Sequence, residues 1–450
     1  MTGRVATASQ AGLGLVVAAV LALAGCSSGT SAPSPAQTAS AQASAPPVPR
    51  IATDNDIALD VLIAVGATPA CATGDTSTSF DPLLVPYTSN VTNLGESVQG
   101  SDFNVEALAK CAPKLIVAPS YDQQSPDNTY YKTAEKAENG IARTVFFDQP
   151  NPPVDGTGQV TSTWKNWLHA VADLVGRREQ ANQVIANLDR RAAAIRGQVQ
   201  GKTIALVSLS TASAFDAANS YLPLATVYVQ DLGAKNFAYP AKDYPAGCLD
   251  DAKPTACYTN DLSMEKLPDL GSADAILVQS LLTASKDVTT FESNPLFAAL
   301  PPVKSGHLAK TESFTDTGPL GVDFEYTEIE NAFQLKEFSA QAAGGTASLT
   351  LDPASSRLCW AAQPAPGTGK PAGPISVAVG SSTLTLAGSP AYSAAETTYQ
   401  TKPATFLATG CSTVSSAIGQ ALLTSAGTVT LSFAGGKGAL KPGAASIVIR

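Results

Sequence analysis

The sequence predicts an α/β protein: two lobes of alternating strands and helices joined by one long helix, followed by an antiparallel β domain. Three observations carry that expectation. Short apolar runs alternate with helical periods from Arg50 to Phe338, the pattern that parallel strand pairing produces. One unbroken amphipathic stretch, Ala181 to Ile195, divides that alternation in two. Beyond Gly344 the composition turns to Ala, Gly, Ser and Thr, and the apolar period shortens to two. A chain of 450 residues exceeds one ordinary domain, and 44% hydrophobic against 14% charged residues is ample for separate cores.

The first segment reads as an address. An apolar run from Leu13 to Ala24 is too short to span a bilayer comfortably and ends in Leu23-Ala24-Gly25-Cys26, which resembles a bacterial lipobox. That resemblance implies a signal peptide over 1–25 and a lipid on the Cys26 thiol. One acyl chain binds a membrane only marginally, so lasting anchorage takes two or more. Residues 26–49 are almost wholly Ser, Ala, Pro, Thr, Gln and Gly, a composition that buries too little apolar surface to order itself and reads as a tether. The expected location is the outer face of a bacterial cell membrane.

The body follows in order. Ile51-Ala52-Thr53 reads as a strand, Asp56 to Val65 as a helix capped from Asp54 to Asp56, Phe103 to Cys111 as a helix and Lys114 to Ala118 as a buried strand. Asn128 to Asn139 reads as a helix and Thr144 to Phe147 as a strand. Trp164, Trp167, Leu168, Val171, Leu174 and Val175 recur at helical spacing, so the tryptophans are expected in a core. Gly176 breaks that run, and the long helix follows with Arg190, Arg191 and Arg196 on its polar face. Lys202 to Val207 is then a strand, Leu224 to Leu232 a helix ending at Gly233, Asp274 to Val278 a strand, Asn294 to Ala299 a short helix and His307 to Lys310 a strand. Pro319 opens a helix expected to run from Leu320 to Phe338. These elements give a first lobe over 50–176, a connecting helix over 177–200, a second lobe over 201–340 and a β-sandwich-like domain over 341–450. In that last domain, Ala347–Leu351, Ile375–Val379, Thr383–Leu386 and Val429–Phe433 read as strands and Thr413 to Leu423 as its helix.

Composition excludes several function classes. A net charge of −9, from 28 basic and 37 acidic residues, leaves little to meet phosphates, so no nucleic-acid partner is expected. Two histidines, His169 and His307, make no His-rich metal centre, and no direct metal site or cofactor is expected. No Gly-x-Ser-x-Gly or His-Glu-x-x-His occurs, so the chain is not read as an enzyme. Apart from Cys26 there are six cysteines, with no Cys-x-x-Cys among them. Six thiols allow many pairings; local grouping favours Cys71–Cys111, Cys248–Cys257 and Cys359–Cys411 in an exported, oxidised protein.

Three segments carry a resemblance. Phe103-Asn104-Val105-Glu106-Ala107-Leu108-Ala109 followed by Ala112 to Ala118 is the first. Leu262-Ser263-Met264-Glu265-Lys266-Leu267-Pro268 with Ala273 to Val278 is the second, and Asn294-Pro295-Leu296-Phe297 through Leu300 to His307 is the third. In this order they resemble the Fe³⁺-siderophore/vitamin B12 solute-binding proteins of ABC importers, over about Arg50 to Phe338. The resemblance implies two Rossmann-like lobes joined by a long rigid α-helix, a small-molecule iron chelate held between them, and delivery to an importer permease by a monomer. It also implies that Glu106 and Glu265, at matching motif positions, dock onto permease arginines. The tail bears a faint likeness to bacterial CHRD-type β domains around Leu349 to Asp352 and Leu358-Cys359-Trp360; their characteristic histidines are absent, so no function transfers.

Ligand residues are nominated by a general rule: in two-lobed α/β proteins the ligand lies outside the carboxyl ends of the strands. That rule selects Asp54 and Asn55, Tyr121 and Asp122, Phe215 and Tyr221, and Phe314 and Thr315. Aromatic side chains supply rigid apolar area with a polar tip, suited to a large chelate. None of the nominated loops carries arginine, which favours a near-neutral ligand such as a hydroxamate or mycobactin-like chelate. The alternatives are a haem- or cobalamin-binding lipoprotein of the same fold, with Tyr121 or Tyr221 as a haem ligand, and a non-transport surface lipoprotein or adhesin.

Overall fold

In a computed structural model of the chain, the described residues run from 49 to 443, apart from 75–79, 97–103, 120–128, 148–163, 212–213, 219–226, 246–257, 260, 280–284, 312–317, 343–344, 365–374, 380–381, 387–388, 393–405, 425–428 and 434–435. The expected leader, Cys26 and nearly all of the tether lie outside them.

The first lobe is a five-stranded parallel sheet. Its strands are β1 (Ile51–Thr53), β2 (Cys71–Gly74), β3 (Thr92–Glu96), β4 (Leu115–Pro119) and β5 (Arg143–Phe147), in the order β3-β2-β1-β4-β5. β1 is central, with Ala52 opposite Cys71 on one side and Ile116 on the other. All three of its residues are buried, as a strand covered on both faces should be. Helices α1 (Asp56–Ala64), α2 (Val105–Cys111), α3 (Thr129–Ile141) and α4 (Trp164–Leu174) alternate with the strands or follow them. A left-handed Gly176, φ 68°, then turns the chain into the connecting helix α5 (Arg178–Val199). Its 22 residues span roughly 33 Å at 1.5 Å each.

In the second lobe, β6 (Thr203–Thr211), β8 (Lys235–Asn236), β10 (Ala275–Gln279) and β11 (Leu308–Thr311) are parallel. β7 (Ala214–Ala217) and β9 (Leu262–Ser263) extend the sheet antiparallel, in the order β11-β10-β6-β7-β9 with β8 beside β6. The helices are α6 (Ser285–Glu292), α7 (Pro295–Ala298), α8 (Pro301–Lys304) and α9 (Pro319–Ala332). One apolar cluster runs unbroken from lobe to lobe through α1, α4, α5 and α9; it contains Leu59, Trp167, Leu188, Ile195, Leu320 and Tyr326. The tryptophan pair sits in this core, as its spacing predicts.

The C-terminal module is antiparallel. A six-stranded sheet has the order β17-β18-β14-β13-β12-β21: Ser389–Tyr392, Phe406–Thr413, Arg357–Pro364, Gly345–Asp352, Lys336–Ala342 and Lys441–Pro442. A four-stranded sheet holds β16 (Ser382–Leu386), β15 (Ile375–Val379), β19 (Val429–Phe433) and β20 (Gly436–Ala439), and α10 (Ser416–Thr424) is the helix.

Two expectations are corrected. The helix expected through Phe338 ends at Ala332, because Gln334 turns left-handed (φ 56°) while Leu335 N donates to Glu330 O at 2.8 Å. Lys336 onward is then β12, paired along its length with β13, so the β module begins before residue 341. In the segment expected as a helix from Leu224, the described part is a five-residue π-turn, Val227–Asp231, closed by Gly233 at φ 66°. Among the described residues no helix is long and apolar enough to cross a membrane.

Candidate functional site

The parallel strands of each lobe end on one edge, where ligands sit in open α/β sheets. At the end of β1, Asp54 is buried and Asn55 begins α1, its Oδ1 accepting the N–H groups of Ile57 and Ala58 at 2.9 and 3.1 Å. Asn55 thus serves its own helix as N-cap. Phe215 is corrected: it lies on β7, fully buried, with ring centroids 6.2 Å from Phe291 and 6.3 Å from Tyr239. A ring enclosed on every side is core rather than cleft lining. Tyr121, Asp122, Tyr221, Phe314 and Thr315 lie outside the described residues. A pair missed by sequence reasoning stands on the second lobe's carboxyl edge, where Tyr258 Oη donates to Gln279 Oε1 at 2.6 Å. Its only signal is that Gln279 is the first polar residue after the apolar run Ala275-Ile276-Leu277-Val278.

The two histidines are placed elsewhere. His169 is buried, its Nε2 3.0 Å from Asn182 Oδ1 between α4 and α5. His307 precedes β11 at its amino end, Nδ1 3.1 Å from Asp274 O. Among the described residues no group of three or more His, Cys, Asp or Glu could hold a metal ion.

The lobes are joined by buried polar links as well as by the helix. Asp60, on α1 of the first lobe, accepts the N–H groups of Leu320 and Gly321 at 2.9 Å each, capping α9 of the second lobe. Burial pushes its carboxyl up to about 7, against the two backbone hydrogen bonds that lower it. Gly318 makes the approach feasible, since a Cβ there would lie 2.3 Å from the Asp60 carboxylate. Asp231, likewise raised by burial, accepts Trp164 Nε1 at 3.5 Å and Tyr326 Oη at 2.9 Å. The sequence does carry a sign of the first link: Asp60 is the lone charge inside Ile57-Ala58-Leu59-Asp60-Val61-Leu62-Ile63.

Glu106 and Glu265 hold equivalent places in the two lobes. Each lies in the first turn of a helical element, α2 and the 3₁₀ segment Met264–Ser272, and each is exposed. Asn104 caps α2 by accepting Ala107 N–H at 2.9 Å, and Lys110 lies 3.7 Å from Glu106 one turn on. With both side chains largely in water, that pair holds Glu106 only weakly. Two expected disulfides are formed, Cys71–Cys111 joining β2 to the end of α2 and Cys359–Cys411 joining β14 to β18. Cys248 and Cys257 lie outside the described residues.

Two α/β lobes sharing one core and bridged by a single long helix define a helix-bridged, two-lobed body. The family model described as periplasmic binding protein matches residues 51–313, more than half of the chain, and the chain belongs to that family. Among solved structures, it is similar to the Fe³⁺-desferal-bound siderophore binding protein FhuD from Vibrio cholerae: 15% identity, 64% of this chain and 98% of that one, TM-score 0.46. It is similar to the iron-uptake ABC transporter substrate-binding protein PiuA from Streptococcus pneumoniae: 18% identity, 63% and 93% covered, TM-score 0.48. It is also similar to the siderophore periplasmic binding protein from the fuscachelin gene cluster of Thermobifida fusca: 21% identity, 63% and 96% covered, TM-score 0.46. No curated protein matches the chain.

Proposed function

We propose that this protein captures a ferric-siderophore-type chelate between its lobes and hands it to the permease of an ABC importer. The observation that carries the reading is the exposed carboxylate on each lobe, Glu106 and Glu265, in matching first-turn positions on a family-typical body. A permease that meets both at once would register lobe spacing as well as identity. The protein acts by capture, making and breaking no covalent bond, and works as a monomer. Cys26 holds it to the outer face of the membrane through lipid, with residues 26–49 as the tether. The nominated loops, which carry no arginine, suit a near-neutral hydroxamate chelate better than an anionic one.

The test is tryptophan fluorescence of the full chain titrated with ferric hydroxamates, carboxymycobactin-type chelates, ferric catecholates, haem and cobalamin, with iron-free controls. Saturable quenching by a ferric hydroxamate at micromolar affinity or tighter, about −8 kcal/mol, is the expected result. Saturation by haem or cobalamin alone would replace the substrate class, and failure of every class with the protein folded would remove the capture reading.

A further inference from the structure

The connecting helix has a second partner beyond the lobes. Strands β13, β14 and β18 of the six-stranded sheet lie on α5, and the contact carries polar links from its buried centre to its exposed rim. Thr350 Oγ1 donates to Ala194 O at 2.9 Å, and Gln198 Nε2 donates to Thr350 O and Arg357 O at 3.0 and 2.9 Å. Arg190, only 2% exposed, donates to Ser348 Oγ at 3.3 Å and Gln363 Oε1 at 3.1 Å. Gly197 sits directly under the Cys359–Cys411 disulfide: a Cβ there would lie 2.6 and 2.7 Å from the two sulfurs.

Arg191 extends this contact into the second lobe. Its guanidinium reaches Asp323 Oδ1 at 2.6 Å, Glu330 Oε2 at 2.7 Å and Thr327 Oγ1 at 2.9 Å on α9, and Glu337 Oε1 at 3.1 Å on β12. Arg191 thus faces Asp323, Glu330 and Glu337, one cation against three carboxyls. Burial pushes the Glu330 carboxyl up and that of Glu337 up to about 9, against the pull of Arg191. α9 is in turn capped by Asp60 of the first lobe. Helix, second lobe, first lobe and β module are therefore wired in series.

We propose that the β module is a brace: by gripping α5 and α9 together it sets the angle between the two lobes, at a distance from any ligand. Removing the grip loosens the lobes although no cleft residue changes.

The test uses the full chain without ligand, disulfides intact, so its result is independent of what the cleft binds. Spin labels on non-natural side chains at exposed positions 110 and 269, one per lobe, report the inter-lobe distance distribution. Hydrogen exchange reports α5. The variants are Arg190→Met, Gly197→Ala and Thr350→Val, with Gly140→Ala as control, because a Cβ at Gly140 meets nothing within 4 Å. Alanine ordinarily favours a helix over glycine, so loosening by Gly197→Ala has the opposite sign to propensity. Arg190→Met and Gly197→Ala are expected to speed α5 exchange at least tenfold and broaden the distance distribution. Thr350→Val does so to a lesser degree, and the control does neither. A wild-type distance distribution in the variants that fold overturns the proposal and leaves the module a passenger.

Discussion

Asp60 shows how one side chain can link two lobes at a cost that depends on pH. Its carboxyl is raised in the folded protein from 3.8 to about 7, so the native state binds the proton more tightly than the unfolded chain does. That contribution is fully present below about pH 4 and is lost as pH rises through about 7, by roughly 1.4 kcal/mol for each pH unit between the two values. Asp60→Asn removes the titration but sets an amide NH₂ against a backbone N–H that needs an acceptor. The variant should be less stable than wild type by about 1–3 kcal/mol at pH 5. Its deficit should shrink by pH 8, as urea unfolding at the two pH values would reveal; a deficit independent of pH would show that Asp60 stays ionised throughout. The residue scale is also where sequence reasoning erred on Phe215. An aromatic residue near a strand end reads the same whether its ring faces a cleft or Phe291, and only the β6–β7 pairing turns it inward.

At the scale of elements, Asn55 caps α1 within the expected capping stretch and Pro319 opens α9 as expected, whereas the helix expected from Phe103 takes Asn104 as its N-cap. The cap of α2 also fixes the turn that presents Glu106. Asn104→Ala should cost about 1 kcal/mol of stability and raise hydrogen exchange in Val105–Cys111; unchanged exchange there would mean that the disulfide at Cys111 holds the helix unaided. The end of α9 was not legible, since Lys336 to Phe338 continue a passable helical pattern. Their strand state comes from pairing with β13 and β21. The polar face of the connecting helix holds a burial that periodicity does not record. Arg190 and Arg191 stand opposite the apolar stripe yet are 2% and 4% exposed, because their partners Ser348, Gln363, Glu330 and Glu337 lie more than a hundred residues downstream.

For the whole molecule, the central expectation concerns delivery rather than capture. Glu106 and Glu265 are exposed, so Glu106→Ala with Glu265→Ala should change stability by no more than about 0.5 kcal/mol per site. Ligand affinity should hold while uptake by cells that depend on the protein falls. Loss of binding in the double variant would show that the two glutamates serve the cleft. The single core running through α1, α4, α5 and α9 makes wide hinge motion costly, because opening would expose apolar surface now shared by both lobes.

Sequence by itself indicated the α/β alternation, the long bridging helix, the antiparallel tail, the matching motifs of Glu106 and Glu265 and the local pairs Cys71–Cys111 and Cys359–Cys411. All of these follow from periodicity, capping, spacing or likeness over short stretches. Tertiary structure alone decided that Asp60 caps a helix of the other lobe, that Phe215 faces inward, and that the β module grips the connecting helix through Arg190 and Arg191. Each of those depends on which distant segment comes to lie opposite a side chain. That is set by packing, and no local period records it.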